Sequence, residues 1–165
     1  MFSFFRIPEL EFDDACVRSF TVARLFAAHN GRAEITPADL FRGLLHTTAP
    51  ESVEFLQAMQ FGYGDEVETL NNLPSGERSR LGRGLRYANA LKKILARANR
   101  KAGEEKRGKV AFVNLIHGFL LERPTDVASE LARVGRSWDD LERHAKTAGQ
   151  PPGPASGLAS GRGAS

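Results

Sequence analysis

A single cysteine, Cys16, in a chain of 165 residues leaves no internal disulfide framework and no cysteine-based metal cluster. Nowhere does an apolar run reach the roughly 18 residues that a membrane-spanning helix needs. The apolar start is interrupted at Arg6 and lacks the basic segment and long apolar core of a secretory signal. These absences leave a cytoplasmic location, with no membrane partner, as the expectation. The sequence also lacks a Gly-x4-Gly-Lys-Ser/Thr loop to cradle phosphates, so no ATP hydrolysis is expected. A Gly-x-Ser-x-Gly nucleophile turn is missing as well. No stretch of four to eight residues alternates strictly between apolar and polar, which predicts no β-strand.

Catalytic and metal-binding constellations are equally scarce. His29, His46, His117 and His144 are scattered, and none stands at metal spacing from another His, Cys or acid. Cys16 lies among apolar residues and reads as a small buried hydrophobe rather than a nucleophile. The pairs Asp13-Asp14 and Asp139-Asp140 fall at expected helix starts, where acids favour the helix dipole, so they read as caps rather than as a general acid and base. No enzyme activity, metal or cofactor is expected.

What is present is apolar content and a repeat. Hydrophobic residues make up 41% of the chain, enough for a real core. A shift of 75 residues, without a gap, sets like on like. Phe12 meets Tyr87, Cys16 meets Leu91, Ala23 meets Ala98, Ile35 meets Val110, Leu40 meets Leu115, Gly43 meets Gly118 and Leu56 meets Leu131. Each copy reads as helices. Phe12, Ala15, Cys16, Ser19, Phe20, Ala23 and Ala27 recur at three- and four-residue steps, one face of a helix. Tyr87, Ala90, Leu91, Ile94, Leu95, Ala98 and Ala102 repeat it. Asn30-Gly31 and Gly103 are placed to end these two helices. Thr36 then suits an N-cap, Pro37 the first helical position, and Asp39 the positive helix end. A third helix is expected from Glu51, carrying Val53, Leu56 and Met59, and a short fourth around Asp65 to Leu70. In the second copy, Pro124 and Thr125 restart the chain before Val127 and Leu131, and Ser137 caps a last helix with Trp138 and Leu141. Leu40, Leu45, Leu115 and Leu120 are expected in the core.

The division that follows is a lead-in over residues 1–11, one helical repeat over 12–72, a second over 73–147, and a Pro/Gly/Ala/Ser tail over 148–165. The tail has too little apolar surface to offset its ordering entropy. The fold class is all-α: two tandem four-helix repeats related by a pseudo-twofold and forming one helical domain.

The overall charge of +3 hides an asymmetry. Residues 1–72 hold five Arg and no Lys against eleven acids, a balance of −6, whereas residues 73–146 hold seventeen basic and nine acidic residues, a balance of +8. Twelve Lys or Arg and only Glu104 and Glu105 fall between Arg78 and Lys109. Arg86, Lys93, Arg97 and Arg100 step by seven, four and three, placing them on one helix face opposite the apolar one, the candidate binding face. Such a face suits an acidic protein, nucleic acid or anionic lipid, or is the solvated side of the helix answering the acidic first repeat. Nucleic acid lacks the support of interleaved exposed aromatics, since Tyr87 belongs to the apolar face.

The paired segments Ile35 to Leu45 (ITPADLFRGLL) and Val110 to Leu120 (VAFVNLIHGFL), the long helices before them, and Leu131 to Gly135 before the last helix together resemble the N-terminal domain of Clp-family AAA+ chaperone ATPases, the double Clp repeat. The resemblance spans roughly residues 10–146. It implies a module that recognises substrate or adaptor proteins without catalysis, here without the ATPase segments. It implies an adaptor or accessory factor in protein quality control or proteolysis. The partner would be a Clp-type ATPase, a protease component or a client polypeptide. A nucleic-acid-associated protein using the basic face is the alternative. Some members of the family carry Thr-Glu-His at the second helix of each repeat, its Glu reading phosphoarginine-marked clients. Here those Glu positions hold Ala38 and Val113, and the His positions Asp39 and Asn114. That reading therefore does not carry over.

Overall fold

A computed structural model describes residues 10–46, 68–69, 72–74 and 84–149. The first repeat contributes β1 (Glu11–Phe12), α1 (Asp14–His29), β2 (Glu34–Ile35) and α2 (Pro37–Leu45). The second contributes β3 (Arg86–Tyr87), α3 (Asn89–Glu104), β4 (Lys109–Val110), α4 (Phe112–Glu122), α5 (Thr125–Arg133) and α6 (Trp138–Gly149). The fold is all-α, as expected. The helix expected from Glu51, most of the one around Asp65 to Leu70, and the tail from Gln150 lie outside the described residues. Helix α6 itself continues through Gly149, into the first two positions assigned to the tail.

Among the described residues four two-residue strands are present where none was expected. They are too short for alternation to register in sequence, and each finds its partner only in the other repeat. β1 pairs in parallel with β4, Glu11 opposite Lys109 and Phe12 opposite Val110. β2 pairs in parallel with β3, Glu34 opposite Arg86 and Ile35 opposite Tyr87. The two pairings interchange under the 75-residue shift. So do the bonds that follow them: the Asp13 amide donates to the Val110 carbonyl and the Ala88 amide to the Ile35 carbonyl, each at 3.0 Å. The exchange places an acid of the first repeat opposite a base of the second in both pairs. Part of the charge asymmetry is thus used between the repeats.

Within each repeat the long helix packs on the next through a glycine. A Cβ on Gly43 would lie 2.2 Å from the Ser19 carbonyl oxygen, and one on Gly118 would lie 2.6 Å from that of Ile94. Ser19 and Ile94 correspond under the same shift. The core behind these contacts includes Cys16, Ala23, Phe26, Ala27, Ile35, Leu40, Phe41 and Leu45 from the first repeat. Leu91, Ile94, Ala98, Val110, Leu115, Phe119, Val127 and Leu131 come from the second. Leu40, Leu45 and Leu115 are buried as expected, whereas Leu120 is only partly so. Phe41 and Phe119 meet edge to face across the repeats at 5.7 Å. Phe20 contacts both Phe12, at 4.9 Å, and its counterpart Tyr87, at 6.0 Å.

Caps follow the sequence at α1, α2 and α6. The Asp13 carboxylate accepts from the Cys16 amide at 2.9 Å. Thr36 and Asp39 form a reciprocal capping box at α2, and Ser137 and Asp140 another at α6. One acid of each pair, Asp13 and Asp140, therefore caps its helix, while Asp14 and Asp139 stand in the first turn. Hydrogen bonds from the Ser137 amide and hydroxyl hold the Asp140 carboxyl below its ordinary range. At α4 the box is half built. Asn114 accepts from the Ala111 amide at 2.9 Å, but Ala111 has no oxygen to return the bond. Gly31 takes the left-handed conformation after α1, with φ +67°. Gly103, expected in that role after α3, is helical instead. The left-handed position falls to Lys106, φ +56°, the true counterpart of Gly31. The Lys106 amide closes the turn on the Gly103 carbonyl as that of Gly31 does on Ala28.

Around the turn between the first two helices of each repeat stand one arginine, one carboxylate and one amide. In the first, Arg32 pairs with the buried Asp39, and the Asn30 side chain donates to the Phe26 carbonyl. In the second the acid and amide have changed places. Asn114 stands for Asp39 and Glu105 for Asn30, with Glu105 accepting from Asn114 at 2.7 Å and from Arg107 at 3.0 Å. Burial raises the Glu105 carboxyl, but the bonds from Arg107 and Asn114 outweigh it and leave its pKa lowered.

Candidate functional site

Helix α3 buries Leu91, Ile94, Ala98 and Ala102 and turns Lys92, Lys93, Ala96, Arg97 and Arg100 to solvent. Burial at steps of three and four thus fixes where the cations go. Lys93, Ala96, Arg97 and Arg100 stand at i, i+3, i+4 and i+7, one stripe. They line a shallow cavity of about 480 Å³ together with Glu122, at the end of α4. Glu122 reaches this wall because Gly118 brings α4 tight against α3, and because the chain leaves α4 at Arg123, in a left-handed conformation with φ +45°. Arg97 Nε donates to Glu122 Oε2 at 2.9 Å. Arg97 remains 48% exposed, so the pair is weakly held and open to competition. Lys93 and Arg100 make no ion pair among the described residues.

The structure therefore brings together three of the four residues of the candidate face. Arg86 is not with them. It precedes α3, in β3, opposite Glu34, because strand pairing captures the two residues before the helix. The seven-residue step to Lys93 does not run along a helix. Glu122 was not legible, since nothing in the sequence marks which side chain 25 residues beyond Arg97 will fold back beside it.

The pseudo-twofold isolates what is particular to this cavity. The corresponding positions in the first repeat are Arg18, Thr21, Val22, Leu25 and Thr47, so a single cation stands where the second repeat has three. The glycine contacts and strand pairings are retained in both copies, and it is the outward stripe that differs.

Cys16 is fully buried on the apolar face of α1, as expected. His117 is half-buried on α4. Burial pushes its pKa down, and the nearby positive charge of Lys101 adds to the effect. Among the described residues no group of three His, Cys, Asp or Glu converges on a common point. No helix among them is long and apolar enough to cross a membrane.

No protein-family model matches the sequence, and no curated protein sequence matches it. Solved structures do. The crystal structure of the N-terminal domain of the caseinolytic protease associated chaperone ClpD from Arabidopsis thaliana is similar, with a TM-score of 0.61 at 13% identity, over 83% of this chain and 96% of that one. The N-terminal domain of Hsp104 from Candida albicans is similar at a TM-score of 0.57 and 16% identity, over 82% and 89% of the two chains. The chain has the Clp N-terminal domain fold. At these identities the likeness is one of architecture. Within this Clp N-terminal fold Ala38 is buried, and its amide donates across the repeats to the Asp126 carboxylate at 2.9 Å. Arg42 and Glu130 pair alongside, fastening α2 of one repeat to α5 of the other.

Proposed function

We propose that this chain is a non-catalytic module that binds protein or peptide and serves as an adaptor or accessory factor for an ATP-driven chaperone in protein quality control. The observation that carries the reading is the fold. It follows nearly the whole length of an N-terminal domain from a chaperone described as associated with caseinolytic protease. The interlocked repeats supply a rigid scaffold, and their outward helix faces are where a partner is read. Rim charges on such a surface steer encounter and select partners.

The basic stripe of α3 supports a second reading, a nucleic-acid-associated protein. One experiment separates the two. The tagged chain is used to retrieve partners from native extract at low and moderate salt, with proteins identified by mass spectrometry and nucleic acid assayed. A chaperone ATPase, protease subunit or unfolded polypeptide retained at both salts is the expected result. Nucleic acid that is retained at low salt and lost as salt rises sinks the adaptor reading.

A further inference from the structure

We propose that the cavity between α3 and the end of α4 receives an acidic segment of a partner protein, with Lys93 and Arg100 as its ligands and Glu122 as a built-in competitor. The proposal deepens the protein-binding reading and rests on it. Three observations carry it.

The first is charge. Lys93, Arg97 and Arg100 line one cavity, and the one acid of its wall among the described residues, Glu122, is engaged with Arg97. Lys92 and Lys101 flank the stripe on α3, so carboxylates approach a positive field from either side.

The second is the broken symmetry. Arg18, Thr21, Val22, Leu25 and Thr47 occupy the matching positions of the first repeat. A solvated helix face needs no such concentration of cations. The fold tolerates its absence in the other copy.

The third is the Arg97–Glu122 pair itself. A carboxylate held at the edge of a cationic cavity keeps one guanidinium neutralised while the site is empty. An incoming Asp or Glu displaces Glu122, exchanging one carboxylate for another at Arg97 and gaining Lys93 and Arg100. Among the described residues the cavity wall offers Ala96 and no aromatic ring on which a base could stack. These features favour carboxylate side chains of a protein over a nucleic acid.

The test uses the full chain and fluorescently labelled 12-residue peptides of four kinds: Glu/Asp-rich, Lys-rich, uncharged polar and apolar, with a 12-nucleotide single-stranded DNA alongside. Anisotropy is read at low and moderate salt. The acidic peptide is expected to bind best and to weaken with salt. Lys93→Glu and Arg100→Glu, both at exposed positions, are each expected to weaken it about tenfold, a charge reversal removing an attraction and adding a repulsion. Glu122→Gln is expected to tighten it about threefold or more by releasing Arg97, and a merely structural ion pair predicts no tightening. Circular dichroism melts confirm that each variant is folded. Binding of apolar or Lys-rich peptide but not the acidic one overturns the proposal and leaves the protein-binding reading standing. DNA binding tighter than acidic peptide overturns it in favour of nucleic acid. Failure of every peptide overturns it and counts against the peptide-binding reading as well.

Discussion

Gly118 lies against the carbonyl oxygen of Ile94 with no room for a methyl group between them, a Cβ falling 2.6 Å from that oxygen. The obstacle is backbone, which cannot rotate away as a side chain can. Gly118→Ala is therefore expected to push α4 off α3 and cost about 1–3 kcal/mol, with Gly43→Ala costing about as much through Ser19. Urea melts that place both variants within about 0.5 kcal/mol of the parent would show that the helices are not in this contact.

The left-handed residue after the long helix is glycine in the first repeat and lysine in the second. Lys106 holds φ +56° with a side chain that disfavours it. Lys106→Gly is expected to stabilise the chain by about 0.5–1 kcal/mol, strain relief exceeding the added entropy of the unfolded state. Gly31→Ala at the matching turn is expected to do the opposite. A lower midpoint for Lys106→Gly contradicts the assigned conformation.

Ala111 has almost the backbone of Thr36, φ −101° and ψ 168° against −96° and 165°, but no hydroxyl. Ala111→Thr should complete the capping box with Asn114 and add about 1 kcal/mol. The companion change Thr36→Ala should remove a comparable amount. Thermal melts of the two single variants check the pair, and equal midpoints for Ala111→Thr and parent would refute the cap.

The His117 pKa is lowered from its ordinary value of 6.5 by burial and by Lys101. The unfolded chain therefore binds more protons than the folded one in the window below that value. The stability this histidine contributes is present above pH 6.5 and is lost as pH falls toward its lower folded value. His117→Gln is expected to flatten the loss as pH falls below 6.5. Unaltered pH dependence in that variant would place the titration elsewhere. Glu105, whose pKa is lowered from 4.5, adds a loss of the same sign at more acid pH.

The elements most legible in the sequence were those fixed by local rules. The 75-residue register, the caps at Asp13, Thr36 and Ser137, and the buried faces of α1 and α3 all follow from spacing and side-chain chemistry. What escaped was set by distant chain. Arg86 has helical spacing from Lys93, yet Glu34 and Ile35 draw it and Tyr87 into a strand. Gly103 looked like the end of α3, but the turn closes three residues later, at a lysine that propensity argues against. Likewise Lys93, Arg97 and Arg100 were found through their periodicity, whereas Glu122 is joined to them only by the helix packing that Gly118 permits.

The crossed strands make the chain, in effect, a homodimer whose two subunits have been tied end to end. Each half completes the other's ladder: Val110 receives Asp13, and Ile35 receives Ala88. Neither repeat is thus a self-sufficient building block, and the covalent boundary between them is not a boundary of cooperativity. Severing the backbone between residues 74 and 84 should leave a complex that stays associated and melts in one transition, while either fragment alone should remain unstructured or seek a copy of itself.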